Sequence, residues 1–128
     1  MSPGATPALS RARVQTETQI TRAILQCLAA NRILAWRVNS RVVRMPGKGG
    51  RDRLVRFGGL AGMPDIAGVL PGGRACFLEV KRVGEHPTVI QTHLMFRLAA
   101  AGALVRVVNC VEDVRQALHD WGMKPLPL

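Results

Sequence analysis

The residues most able to do chemistry lie in two neighbouring runs. Asp65 sits in Met63-Pro64-Asp65-Ile66-Ala67-Gly68-Val69-Leu70, and Glu79 and Lys81 close Ala75-Cys76-Phe77-Leu78-Glu79-Val80-Lys81, with Pro71-Gly72-Gly73-Arg74 between them. Both runs are rich in strand formers and the connecting segment is a turn, so they pair as adjacent antiparallel strands. Alternation puts Glu79 and Lys81 on one face and Cys76, Leu78 and Val80 on the other. Counting back through the turn brings Asp65 level with Glu79 or Val80. Two carboxylates about 4 Å apart repel by roughly 4 kcal/mol at an effective dielectric near 20, so the pair needs a shared proton or a cation. Oxygen ligands suit a hard ion such as Mg²⁺ or Mn²⁺. An ion of that kind polarises a phosphodiester and acidifies water, and Lys81 is placed to orient that water and offset negative charge in the transition state. The plainer alternative is an exposed Glu-Lys pair on a strand, with no chemistry attached.

The rest of the composition points to a polyanion. Eighteen Lys and Arg against eight Asp and Glu give +10, and all but Lys48, Lys81 and Lys124 of the cations are Arg. The planar guanidinium fork binds phosphate oxygens bidentately. A solvated basic surface with no anionic partner is the competing explanation. A chain of 128 residues, 48% hydrophobic, is one domain with a packed core. No run approaches the roughly twenty apolar residues of a membrane span, and the first thirteen residues lack the apolar stretch of a signal peptide. Cys27, Cys76 and Cys110 are odd in number, far apart and set in apolar runs, which predicts buried free thiols of an intracellular protein. With His86, His93 and His119 they match no zinc spacing.

The elements that must position the acidic pair follow from periodicity. Residues 1–14 are expected to be a flexible lead, 15–122 the folded domain and 123–128 an unstructured tail. Thr16-x-x-Gln19 is a capping box opening a helix over about 16–30, with Ile20, Ile24 and Leu28 on one face. Glu17 falls in its first turn, where it complements the helix dipole or serves the acidic pair. Ile33 to Ser40 is a strand whose apolar face is Leu34, Trp36 and Val38. Arg41 to Gly62 is basic and Gly-rich, with extended pieces at 41–45 and 53–57 around a mobile tip at 46–50. Gly47-Lys48 is no phosphate-binding P-loop, because Gly49 stands where Ser or Thr must be. The stretch instead suits sequence-independent contact with phosphates. A second capping box, Thr88-x-x-Gln91, opens a helix over about 88–101. Ala103 to Asn109 reads as a strand buried on both sides, and Val111, Val114, Leu118 and Trp121 mark a last helix. The order predicts an α/β fold, a mixed sheet with helices on its faces.

Gly62-Met63-Pro64-Asp65-Ile66 followed by Phe77-Leu78-Glu79-Val80-Lys81 resembles the PD-(D/E)XK nuclease superfamily and, more closely, its VRR-NUC family, the virus-type replication-repair nucleases. Glu17, Trp36-Arg37-Val38-Asn39, Gln91, Gly102 and Glu112-Asp113 extend the similarity over roughly residues 16–120. Arg41 departs from it, standing where a small residue is expected. The resemblance implies a restriction-endonuclease-like αβββαβ core, with Asp65, Glu79 and the Val80 main-chain carbonyl holding Mg²⁺ or Mn²⁺. Lys81 would assist the water, Glu17 would act through water or a second ion, and Gln91 would support the site or touch substrate. It implies a DNA endonuclease acting on branched substrates such as four-way junctions or flaps, as a homodimer, in the cytoplasm of a bacterial or phage-infected cell. A helicase or other replication-repair partner would work in trans. Arg37, Arg41, Arg44, Lys48, Arg51, Arg53, Arg56 and Arg82 are the expected DNA contacts. The rival from another class is a DNA-binding or assembly module that kept this fold without turnover.

Overall fold

The computed structural model describes residues 15–38, 41–57 and 59–126. The expected lead at 1–14, Asn39 and Ser40 of the first strand, Gly58 of the basic stretch, and the last two residues of the tail lie outside the described residues. In order the elements are α1 (Glu17–Ala30), β1 (Leu34–Arg37), β2 (Arg41–Met45), a single 3₁₀ turn (Lys48–Gly50), β3 (Arg53–Phe57), β4 (Ile66–Val69), β5 (Ala75–Val80), α2 (Val89–Ala100), β6 (Leu104–Val108) and α3 (Val111–Asp120). β1, β4, β5 and β6 form a mixed sheet in that spatial order, antiparallel except for the β5–β6 pair. β2 and β3 form a separate antiparallel ribbon inserted between β1 and β4. Without the ribbon, the order is the αβββαβ core followed by α3. No helix among the described residues is long and apolar enough to cross a membrane.

Both expected capping boxes form. Thr16 Oγ1 accepts from the Gln19 N–H at 3.1 Å and Gln19 Oε1 accepts from the Thr16 N–H at 2.9 Å. The Thr88–Gln91 pair repeats the arrangement at 3.2 and 2.8 Å. Each cap satisfies two helix-end donors that would otherwise lack partners, so Thr88→Ala is expected to cost about 1 kcal/mol in urea unfolding.

One face of the sheet carries the core. Ile20, Ile24 and Leu28 of α1 and Val114 and Leu118 of α3 pack on Ile66, Leu78, Val80 and Val108. Cys76, Leu78 and Val80 point into this layer, as alternation requires. α2 lies against β6 at the edge of the sheet.

Four expectations change. In β1 the core-facing residue is Ala35, while Leu34 and Trp36 are 70% and 49% exposed. Register explains this: Leu34 and Trp36 oppose Val69 and Ala67, on the face away from α1. Second, β6 is not buried on both sides but is an edge strand, with Val107 39% exposed and Arg106 paired to Asp120 at 3.0 Å. Its apolar run reflects parallel pairing with β5 and cover from α2 and α3. Third, only Cys76 of the three free thiols is buried. Cys110 is exposed at the turn into α3, and Cys27 is half-buried. Fourth, residues 123–126 lack regular structure but are tied down. Leu126 N–H donates to Asn31 Oδ1 at 2.7 Å, Arg115 donates to the Leu126 carbonyl at 3.1 Å, and Met123 packs on the core.

Candidate active site

The β4–β5 turn sets the geometry. Leu70 and Arg74 close it through a 2.9 Å hydrogen bond, with Gly72 and Gly73 both at positive φ. The register Ile66↔Leu78 then puts Asp65, one residue before β4, opposite Glu79. Asp65 is fixed from two sides. Its carbonyl accepts from the Val38 N–H at 2.7 Å, prolonging the β1–β4 pairing, and its Oδ2 accepts from the Val80 N–H at 2.8 Å. The Val80 side chain is fully buried, so the peptide that anchors Asp65 is itself held in the core.

The loop before Asp65 is equally constrained. Gly62 has φ 79°, and a β-carbon there would lie 2.8 Å from Ile90 Cγ2 and 2.9 Å from the Ile90 carbonyl oxygen. α2 therefore presses on the segment that delivers Pro64 and Asp65. Gly62→Ala is expected to destabilise the fold by about 2 kcal/mol, through backbone strain plus overpacking, read by urea unfolding.

Glu79 is the anomaly. It is 1% exposed, and its Oε2 is a buried oxygen without a hydrogen-bond partner. Burial pushes its carboxyl up to about 9, reinforced by contact with the Asp65 carboxylate and by the charge of Glu17 and opposed by the Lys81 ammonium. An orphaned carboxylate oxygen beside a second carboxylate is costly unless a cation or proton sits between them. The donor set fits a hard divalent ion. Glu17, exposed at the start of α1, does not join the pair as a third direct ligand: among the described residues no three His, Cys, Asp or Glu side chains form a ligand group.

Lys81 follows β5, half-buried, on the Glu79 side of the strand. Its N–H donates to the Val108 carbonyl at 3.0 Å, and its own carbonyl accepts from Asn109 Nδ2 at 3.1 Å. Asp113 Oδ2 in turn accepts from the Asn109 N–H at 2.7 Å. Asn109 and Asp113 thus hold the main chain of Lys81 in place, a role that sequence reasoning missed. The available signal was an Asn ending an apolar strand with an Asp four residues on, at the start of a helix.

Gln91 uses its side-chain oxygen in the α2 capping box. Its helix begins beside the Gly62 loop, which brings α2 to the Asp65 end of the sheet. The basic residues divide into three places. Arg37 lies with Thr18, Thr21 and Arg22 along a groove of about 360 Å³ beside α1. Arg82 is paired with Glu85 at 2.6 Å. Arg44, Lys48, Arg51 and Arg53 are exposed on the ribbon, to which Arg41 and Arg56 belong as backbone positions.

A comparison with solved structures gives the architecture a precedent. A chain described as a VRR_NUC domain superposes with a TM-score of 0.54 and 22% identity, covering 84% of this chain and 99% of that one. The chain has the VRR_NUC fold. No family model and no curated protein matches the sequence. In this chain Glu79 lies within β5 of the main sheet, with Asp65 immediately before β4 and Lys81 immediately after β5.

Proposed function

We propose that the chain is a VRR-NUC endonuclease that hydrolyses DNA phosphodiester bonds with Mg²⁺ or Mn²⁺. The observation that carries this reading is the buried Glu79 oxygen, without a partner, beside Asp65 and in the field of Lys81. Asp65, Glu79 and the Val80 carbonyl would hold the ion, with Glu17 assisting through water or a second ion. When bound, the ion supplies polarisation of the scissile phosphodiester and acidification of the attacking water. The chain's own residues do the rest. Lys81 orients the water, helps remove its proton and offsets charge gathering on the phosphoryl oxygens. Asp65 is kept in one rotamer by the Val80 amide, and Asn109 fixes the backbone from which Lys81 projects. Gln91 keeps its amide nitrogen for the substrate while its oxygen caps α2.

The acidic pair repels the substrate that the surrounding Arg attract. Arg37, Arg41, Arg44, Lys48, Arg51, Arg53, Arg56 and Arg82 are assigned to phosphate contact, which favours shape over sequence. Branched DNA, four-way junctions or flaps, is the proposed substrate, and two copies of the chain would present two sites to two strands. A helicase acting in trans is compatible with this division of labour. The test is a cleavage panel of linear, nicked, flapped, splayed and four-way DNA in Mn²⁺ and in EDTA. Metal-dependent cutting of the branched forms is expected. No cutting of any form would leave a binding module with a nuclease fold.

A further inference from the structure

We infer that the β2–β3 ribbon is a finger that enters the major groove of duplex DNA beside the cleavage site. The inference rests on the DNA reading above and goes beyond it by assigning a contact mode to one element. Within the basic stretch, the extended pieces expected at 41–45 and 53–57 are two strands. Its strands pair through five consecutive positions, from Arg41↔Phe57 to Met45↔Arg53, and they pack chiefly on each other rather than on the main sheet. The tip between them contains a 3₁₀ turn at Lys48–Gly50, with Gly49 and Gly50 at positive φ. A β-carbon at Gly47 would lie 2.3 Å from the Arg51 carbonyl oxygen, so the closure demands glycine there.

Size and charge fit one partner. Five residues per strand at about 3.3 Å each give a finger roughly 17 Å long before the tip. Two strands about 4.8 Å apart, with their side chains, fill a major groove about 12 Å wide, whereas the minor groove is about half that width. Residues 41–57 hold six cations and one carboxylate, a net +5 of the chain's +10. Asp52 neutralises little, since it approaches Arg44 only to 4.0 Å with both side chains largely exposed. Leu54, opposite Arg44 in the register, is 69% exposed, an apolar surface suited to thymine methyl groups in the groove rather than to phosphates. The ribbon is rooted where it matters. Its first strand starts three residues after Val38, and residues 58–64 lead from its second strand to Asp65; Val38 and Asp65 are joined by the 2.7 Å hydrogen bond at the end of the β1–β4 pairing.

The test shortens the ribbon in the full chain by replacing residues 44–54 with Asn-Gly, a two-residue turn between the paired Val43 and Val55. Binding is measured in EDTA by anisotropy, on a plain duplex and on one whose cytosines carry glucosylated hydroxymethyl groups that fill the major groove. Wild type is expected to bind the glucosylated duplex at least about tenfold more weakly, in line with losing one or two base-edge contacts. The shortened chain should lose that discrimination, and its dependence of log K on log salt should flatten by about 3, near 0.9 per phosphate contact. Thermal unfolding checks that the shortened chain is folded. Equal binding of wild type to both duplexes overturns groove insertion, and so does an unchanged salt slope in the shortened chain. Binding is read without metal, so a protein that binds in this way but never cuts overturns the nuclease reading and leaves the ribbon assignment standing.

Discussion

On the proposed reading, Glu79→Ala is expected to lower metal-dependent DNA cleavage by at least about a thousandfold, because it removes one of the two carboxylates that would hold the ion and with it several kcal/mol of transition-state stabilisation. Duplex affinity should stay close to wild type, since that affinity is assigned to Arg and Lys rather than to the acidic pair. Lys81→Ala should lose about a hundredfold or more in kcat with the metal still taken up, the usual contribution of a positioned proton-transfer group. The informative change at Asp65 is Asn rather than Ala. Asp65 Oδ2 accepts the Val80 N–H inside the fold, so Ala would also orphan a buried donor, at about 1–3 kcal/mol. Quenched-flow cleavage of a labelled four-way junction, run beside anisotropy binding, separates these effects. Parallel loss of binding and cleavage in Glu79→Ala would mean that the residue is structural.

The second large effect is on stability. In the metal-free protein Glu79 titrates near 9 instead of the ordinary 4.5, with burial the main cause and Asp65 next. Between those two values the folded state holds a proton that the unfolded chain has released, so stability is highest at low pH and falls as pH rises through the window. At pH 7, about 2.5 units above the ordinary value, the penalty is on the order of 3 kcal/mol at 1.36 kcal/mol per pH unit. Glu79→Gln keeps the shape and removes the ionisation. It should therefore stabilise the metal-free protein at pH 7 to 8 and flatten the slope of stability against pH, measured by urea unfolding in EDTA at pH 5, 7 and 8.5. Identical pH slopes in wild type and Glu79→Gln would contradict the buried-carboxyl account.

What could be read in the sequence was what local rules determine. The Pro-Gly-Gly turn fixes a hairpin register, and that register alone puts Asp65 opposite Glu79. Thr16-x-x-Gln19 and Thr88-x-x-Gln91 fix two helix starts to within a residue. The failures are all tertiary. Leu34 and Trp36 look like a core face because their alternation is apolar, yet which face of β1 is covered depends on where α1 docks, and it docks over Ala35. Likewise, the continuous apolar run of β6 does not show that no strand lies beyond it. Asn109 and Asp113 act across the chain on the backbone of Lys81, 28 residues away from Asn109, a relation that periodicity does not encode. The ribbon was half visible: its extended pieces were legible, but the turn at its tip depends on the close approach of Gly47 to the Arg51 carbonyl.

The central claim is that the Asp65–Glu79 pair exists to hold a divalent ion, and calorimetric titration with Mn²⁺ tests it most directly. At pH 7 Glu79 is protonated in the metal-free protein, so binding must expel that proton. Titrations in buffers of different ionisation enthalpy should show saturable Mn²⁺ uptake with about one proton released per ion bound, and Glu79→Gln should lose both the uptake and the release. Mn²⁺ uptake that is absent in wild type, or unchanged in Glu79→Gln, would contradict it.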